Sequence, residues 1–223
     1  MLPVKAKGEV RFRSVASRLK RGSTSEPRRI LFNGNGYDDA WIREATEERG
    51  LLNLRTTPDA LQMVLVPENM EMLQRHQIFT EAEIRSRYEI SLENYVRTVR
   101  IEALTMADMA KKEILPAILA YTDQVAAGLN EKEKTSAVLG FRAERKRLEK
   151  LSLLADAIDD AVDALEASIN SRAGEDAAAQ AYHIRDVVLE SMAALRGLCD
   201  EAEGLVPADR WPFPTYGDLL FGV

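Results

Sequence analysis

From Thr80 to Gly128 the chain sets an apolar residue at every third or fourth position: Ile84, Tyr88, Leu92, Tyr95, Val99, Ala103, Met106, Ala110, Ile114, Ala117, Tyr121 and Val125. The steps of 4, 4 and 3 repeat, an eleven-residue period that keeps the stripe on one face of a nearly straight helix and imposes no left-handed supercoil. Thr80 and Glu83 have the spacing of a capping box at its start, and Gly128 offers a left-handed position at its end. One helix is therefore expected over 80–128. Pro116 should disturb it, because it has no N–H for the Lys112 carbonyl and so favours a kink. A stripe of this length cannot be buried within its own helix, so the rest of the chain must cover it.

Two further stretches have the pattern to do so. From Thr135 to Asn170 the residues Phe141, Leu148, Leu151, Ala155, Ile158, Val162, Leu165 and Ile169 form a seam with heptad-like steps, ended by Ser171 to Gly174. From Asp176 to Glu203 a third stripe carries Ala177, Ala181, Ile184, Val188, Met192, Leu195, Cys199 and Ala202. Short connections make antiparallel neighbours. The expected fold is all-α, a long antiparallel bundle of three long helices, with Leu151, Ile158 and Leu165 facing Val99, Met106 and Ile114. Short helices precede it: one capped by Asp38 or Asp39 and ended by Gly50, one capped by Thr57 with Pro58 following and running to about Val66, and one from Pro67 to about Gln77. Residues RRILFNGNGY read as an extended run and a tight turn, and WPFPTYGDLLFGV as an extended tail, since Pro212 and Pro214 exclude a helix through them. The chain divides into a basic arm or linker (1–29), a short helical segment (30–79) and the helical bundle with its tail (80–223).

The charge is uneven. Residues 1–33 hold nine basic side chains against two acidic ones, although the whole chain carries −6. Such an arm is the basis for an alternative in which the chain is a nucleic-acid-binding or regulatory helical adaptor, but no aromatic stacking residues accompany the charge, and nucleic acid is not the expected partner. The one cysteine, Cys199, excludes an internal disulfide and fits a reducing cytoplasm. No apolar run approaches the roughly 20 residues that span a bilayer, so no membrane association is expected.

No residue pattern builds an active site. NGNGY offers bare amides before a helix but lacks the Walker lysine and the GxGxxG spacing, so it reads as a turn. Asp156, Asp159, Asp160 and Asp163 share one helix face with no histidine among them, which reads as a solvated acidic face. His76 and His183 are preceded at the third position by Leu73 and Gln180 rather than glutamate, which argues against a di-iron bundle site. Cys199 lies on the third stripe and reads as a packed thiol. No catalytic, metal-binding or cofactor-binding residue is assigned to this chain. The docking candidates are aromatic and aliphatic: Trp41 near the start, and Trp211, Phe213, Tyr216, Leu219, Leu220 and Phe221 in a tail too apolar to stay free. The expectation is a strap laid back towards Trp41 and Leu61, with a strap packed only on its own bundle as the alternative.

Three stretches carry a resemblance. ILFNGNGYDDAWIREATEERGLLNLRTTPDAL (30–61), SRYEISLENYVRTVRIEALTMADMAKKEILPA (86–117) and RWPFPTYGDLLF (210–221) together resemble the C-terminal part of the type III glutamine synthetases. The likeness covers about residues 28–223. It implies a longer enzyme that joins ammonia to glutamate with ATP and Mg or Mn through a γ-glutamyl phosphate, with its metal ligands in domains upstream of FNGNGY. Residues 1 to about 27 are expected to depart from the family, as in a truncated or split gene. The resemblance also implies double hexameric rings, and a noncatalytic role for this helical region in subunit packing. The expected partner is either the missing catalytic portion or further copies in a homo-oligomer.

Overall fold

A computed structural model of the chain describes residues 30–135, 140–171, 174 and 176–221, apart from the side chain of Tyr216. The chain forms two units, 1–55 and 56–223. The basic arm of 1–29 lies outside the described residues.

In the first unit, α1 (Asp39–Arg43) runs into a π turn (Glu44–Glu48). Asp38 caps it, its carboxylate accepting from the Ala40 amide at 2.9 Å. Gly50 takes the left-handed φ of 61° expected of it. The NGNG segment is a turn, as expected: the Tyr37 amide donates to the Asn35 side-chain oxygen at 3.1 Å and the Asp38 amide to the Asn35 carbonyl at 3.3 Å. Phe32 stacks on Trp41 with ring centroids 3.8 Å apart, and Arg49 lies over the same indole at 4.9 Å. A Cβ at Gly34 would meet the far end of the Phe32 ring at 2.6 Å, so the ring would have to shift from its stack to admit one.

The second unit begins with α2 (Thr57–Gln62), followed by a 3-10 turn (Met63–Leu65), and α3 (Pro67–Arg75). The cap of α2 is Thr56 rather than Thr57. Thr56 holds the extended backbone that a cap needs and its hydroxyl accepts from the Asp59 amide, so Pro58 falls at the second helical position. The long helix α4 comprises Glu81–Met109, a π turn (Ala110–Ile114) and Leu115–Thr135. The Thr80 and Glu83 capping box forms in full.

One expectation for α4 is corrected. Gly128 does not end the helix, which continues to Thr135. Leu129 extends the buried stripe, and Lys132 to Glu144 (2.9 Å) and Arg145 to Glu133 (2.5 Å) tie the last turns to the next helix. The disturbance at Pro116 takes the form of the π turn just before it, through which the helix runs unbroken. That turn also sets the buried face. Val99, Ala103, Ala107, Ala110, Ile114 and Ile118 are buried, so five turns take 19 residues. A plain α-helix makes five turns in about 18 residues. The π turn accommodates the extra one, so that Ile118 stays on the buried face.

Helix α5 (Arg142–Asn170) starts seven residues later than Thr135, with Phe141 buried at its start. Helix α6 comprises Ala177–His183, a π turn (Ile184–Val188) and Leu189–Glu203. Asp176 caps it through the Ala179 amide at 2.5 Å. The three long helices enclose one core in which Leu151, Ile158, Val162, Leu165, Val188 and Leu195 are fully buried. Among the described residues there is no strand; the fold is the all-α bundle expected.

The tail departs from the extended strap. Residues Tyr216–Phe221 form a last helix, α7. Both prolines precede it, so they do not obstruct its hydrogen bonds. Thr215 and Asp218 start it: the Thr215 amide donates to the Asp218 carboxylate at 2.8 Å and the Asp218 amide to the Thr215 hydroxyl at 3.2 Å. The Thr215 hydroxyl, which donates to the same carboxylate at 2.7 Å, and then the Thr215 amide hold the Asp218 carboxyl below its ordinary range.

The core arrangement makes Ile158 decisive, since its side chain is fully buried in the middle of α5. Ile158→Ala is expected to cost about 2–5 kcal/mol in chemical denaturation, and Ile158→Asp more, because it buries a charge. An unchanged unfolding midpoint in both variants would show that this seam is not the core.

Candidate interaction surface

Beside the π turn of α4 the bundle leaves a groove of about 480 Å³ between α4 and α6. Ile101, Met106, Met109, Ala110 and Ile114 line it from α4, Cys199 from α6, and Trp211 and Phe213 from the segment that follows. The sequence places these aromatics where they are needed. Pro207 begins a turn in which the Arg210 and Trp211 amides donate to its carbonyl (2.9 and 3.1 Å), bringing the chain back onto the helices. Trp211 and Phe213 then meet edge to face at 6.4 Å, packed against the core. The charges at the groove edge are Glu102, Asp200, Glu203 and Arg196, of which Arg196 pairs with Asp200 at 3.4 Å.

The expected docking residues thus separate into three groups. Trp211 and Phe213 come together on their own bundle. Leu219, Leu220 and Phe221 ride on α7 and stay 67%, 72% and 79% exposed, and Tyr216 opens that helix. Trp41 belongs to the first unit and is covered by Phe32 and Arg49. Ile101 and Met109, which the stripe did not include, were legible only as apolar residues left off the stripe.

The remaining candidates are structural. His183 Nε2 lies 3.0 Å from both the Ser168 carbonyl and the Ser171 hydroxyl, which itself donates to the Ser168 carbonyl at 2.8 Å, and Arg100 donates to the Ile169 carbonyl at 3.4 Å, so these side chains serve C-terminal carbonyls of α5. Arg185 bridges α6 to Asp59 of α2 at 2.6 Å. Asp156, Asp159, Asp160 and Asp163 are exposed, as is His76. Among the described residues no three His, Cys, Asp or Glu side chains are grouped to hold a metal, so these residues do not fit the divalent cations that the resemblance implies. Among them, too, no helix is long and apolar enough to cross a membrane.

Residues 17–133 match the family model for the glutamine synthetase C-terminal domain. The chain belongs to that family. The match begins eleven residues before Arg28, so the likeness to glutamine synthetase reaches further towards the start than residues 30–61 alone indicate. The chain is 36% identical over 197 residues to a glutamine synthetase of Butyrivibrio fibrisolvens, covering 88% of this chain and 28% of that protein. It is 31% identical over 202 residues to a glutamine synthetase of Bacteroides fragilis (88% and 27%), and 27% identical over 198 residues to the type-3 glutamine synthetase of Dictyostelium discoideum (86% and 27%). It therefore spans under a third of the length of these glutamine synthetases.

Cys199 gives this surface a measurable signature. Burial, with a smaller contribution from the Asp200 carboxylate, pushes its thiol from an ordinary 9.0 up to about 11. A raised pKa means that the folded state holds the proton more tightly than the unfolded chain. The resulting stabilisation is complete below pH 9 and lost as pH rises from 9 to 11. The wild-type melting temperature should accordingly fall relative to that of Cys199→Ala across this window. Parallel curves for the two proteins would show that the thiol is not held in this environment.

Proposed function

We propose that this chain is the C-terminal helical portion of a type III glutamine synthetase, noncatalytic by itself, and that its bundle packs subunits into an oligomer. The observation that carries the proposal is apolar surface on the outside of a finished bundle. Ile90, Ile101, Leu104 and Leu119 are about half exposed along α4, although the core behind them is complete. Apolar patches of this kind mark protein interfaces. The type III assignment is supported by the likeness to the type-3 glutamine synthetase of Dictyostelium discoideum and by the three stretches at 30–61, 86–117 and 210–221.

On this reading the whole protein joins ammonia to glutamate in the cytoplasm with ATP and Mg or Mn, and the groups that bind them lie in the part of the relatives that this chain does not span. Phosphoryl transfer needs metal-held phosphates and cationic side chains converging on one point. The described residues offer no such convergence.

The purified chain, given glutamate, ammonia, ATP and Mg, is expected to form no glutamine, and its sedimentation mass is expected to exceed the 24.9 kDa of a single chain. Glutamine formation free of host enzyme would overturn the noncatalytic assignment, and a mass of one chain at every concentration would overturn the packing role.

A further inference from the structure

The outer face of α4 carries an ordered run of side chains. Outwards from the point between Ile101 and Leu104, in steps of four residues, one direction meets Ile101, Arg97 and Glu93, and the other Leu104, Asp108 and Lys112. All six are exposed, and the steps keep them on the side of the helix turned away from the buried Val99, Ala103 and Ala107. The two halves are complementary: an apolar residue in one matches an apolar residue in the other, and each base matches an acid. Lys112 and Asp108 pair with each other at 2.5 Å but stay more than half exposed, and among the described residues Glu93 and Arg97 form no ion pair.

We infer that two copies of this chain pair through this face, α4 antiparallel to α4, about a two-fold axis that passes between Ile101 and Leu104. The inference rests on the subunit-packing reading and names the surface that performs it. In that register Ile101 of each copy meets Leu104 of the other, Arg97 lies opposite Asp108, and Glu93 lies opposite Lys112. A surface that is complementary to itself end for end makes a closed, isologous contact. Parallel alignment in register would set Glu93 against Glu93 and Arg97 against Arg97, and like charges repel it. Rows of side chains four residues apart are the ridges that interlock when two helices cross. Exposed ion pairs contribute little each, so Ile101 and Leu104 supply the attraction while the charges set direction and register. One helix face per copy is small against the roughly 1,600 Å² buried in a standard interface, so dimer and single chain exchange with concentration.

Two variants of the full chain test the pairing without touching the core. Arg97→Glu with Lys112→Glu leaves only acids at the four charged positions, and Glu93→Lys with Asp108→Lys leaves only bases; all four positions are exposed. Circular dichroism confirms that both stay helical, and analytical ultracentrifugation at low salt reads their mass. Each variant alone is expected to sediment as one chain, and their equimolar mixture as a one-to-one dimer that weakens as salt is added, because acids then face bases at every charged position. A mixture that stays monomeric overturns the inference. Variants that each associate as the wild type does overturn it too, while leaving subunit packing to another surface. A wild-type chain that is monomeric at every concentration overturns the inference and the packing reading together.

Discussion

The bundle depends on α4 presenting one continuous apolar face to α5 and α6 from Val99 to Ile118. A regular helix carrying the same six residues would turn that face steadily away from its partners, since 19 residues exceed five turns by about one residue. The π turn at Ala110–Ile114 takes up the difference just before Pro116, where the missing N–H has already weakened the α-helical ladder. An element that in isolation is a local defect is what keeps Ala110, Ile114 and Ile118 buried beside Ile158, Val162 and Leu165. The single core then stabilises all three helices at once, which intrinsic helix propensity alone does not achieve for surfaces this long.

Polar groups fix how the helices meet rather than how strongly. Lys111 to Glu166 and Lys150 to Glu201, both at 2.7 Å, are exposed pairs, and such pairs contribute little each. Arg100 and His183 act differently, because with the Ser171 hydroxyl they serve carbonyls in the last turn of α5. With the core satisfied and the helix ends capped, apolar residues remain exposed on the α4 exterior and on α7, and singly elsewhere, as at Ile78 and Leu153.

Much of this was legible in the sequence, and the reasons differ by element. The helices at 81, 142 and 177 announce themselves by stripes whose residues are buried or partly buried, and Thr80, Asp38 and Asp176 cap where their side chains demand. Gly128 misled because a glycine that could end a helix is also tolerated within one when Leu129 continues the buried face. Thr56 and Thr57 are both chemically able to cap, and only the backbone at Thr56 decides between them. The π turn carries no pattern of its own and shows only as a one-residue excess in the buried spacing. In the tail, the two prolines masked the Thr215 to Asp218 cap, so α7 was hidden while the docking of Trp211 and Phe213 was not. The groove needs α4, α6 and the tail together, and no single stretch encodes it.

Amide hydrogen exchange on the intact chain, resolved by residue, tests the continuous seam most directly. The account predicts that amides on both sides of Pro116, those of 99–109 and those of 117–122, exchange with the same high protection as 151–165 of α5, because one core holds them. Rapid exchange beyond Pro116 while 99–109 stays protected would contradict it, by showing that the helix opens at the π turn and that the face it carries is not shared by the whole bundle.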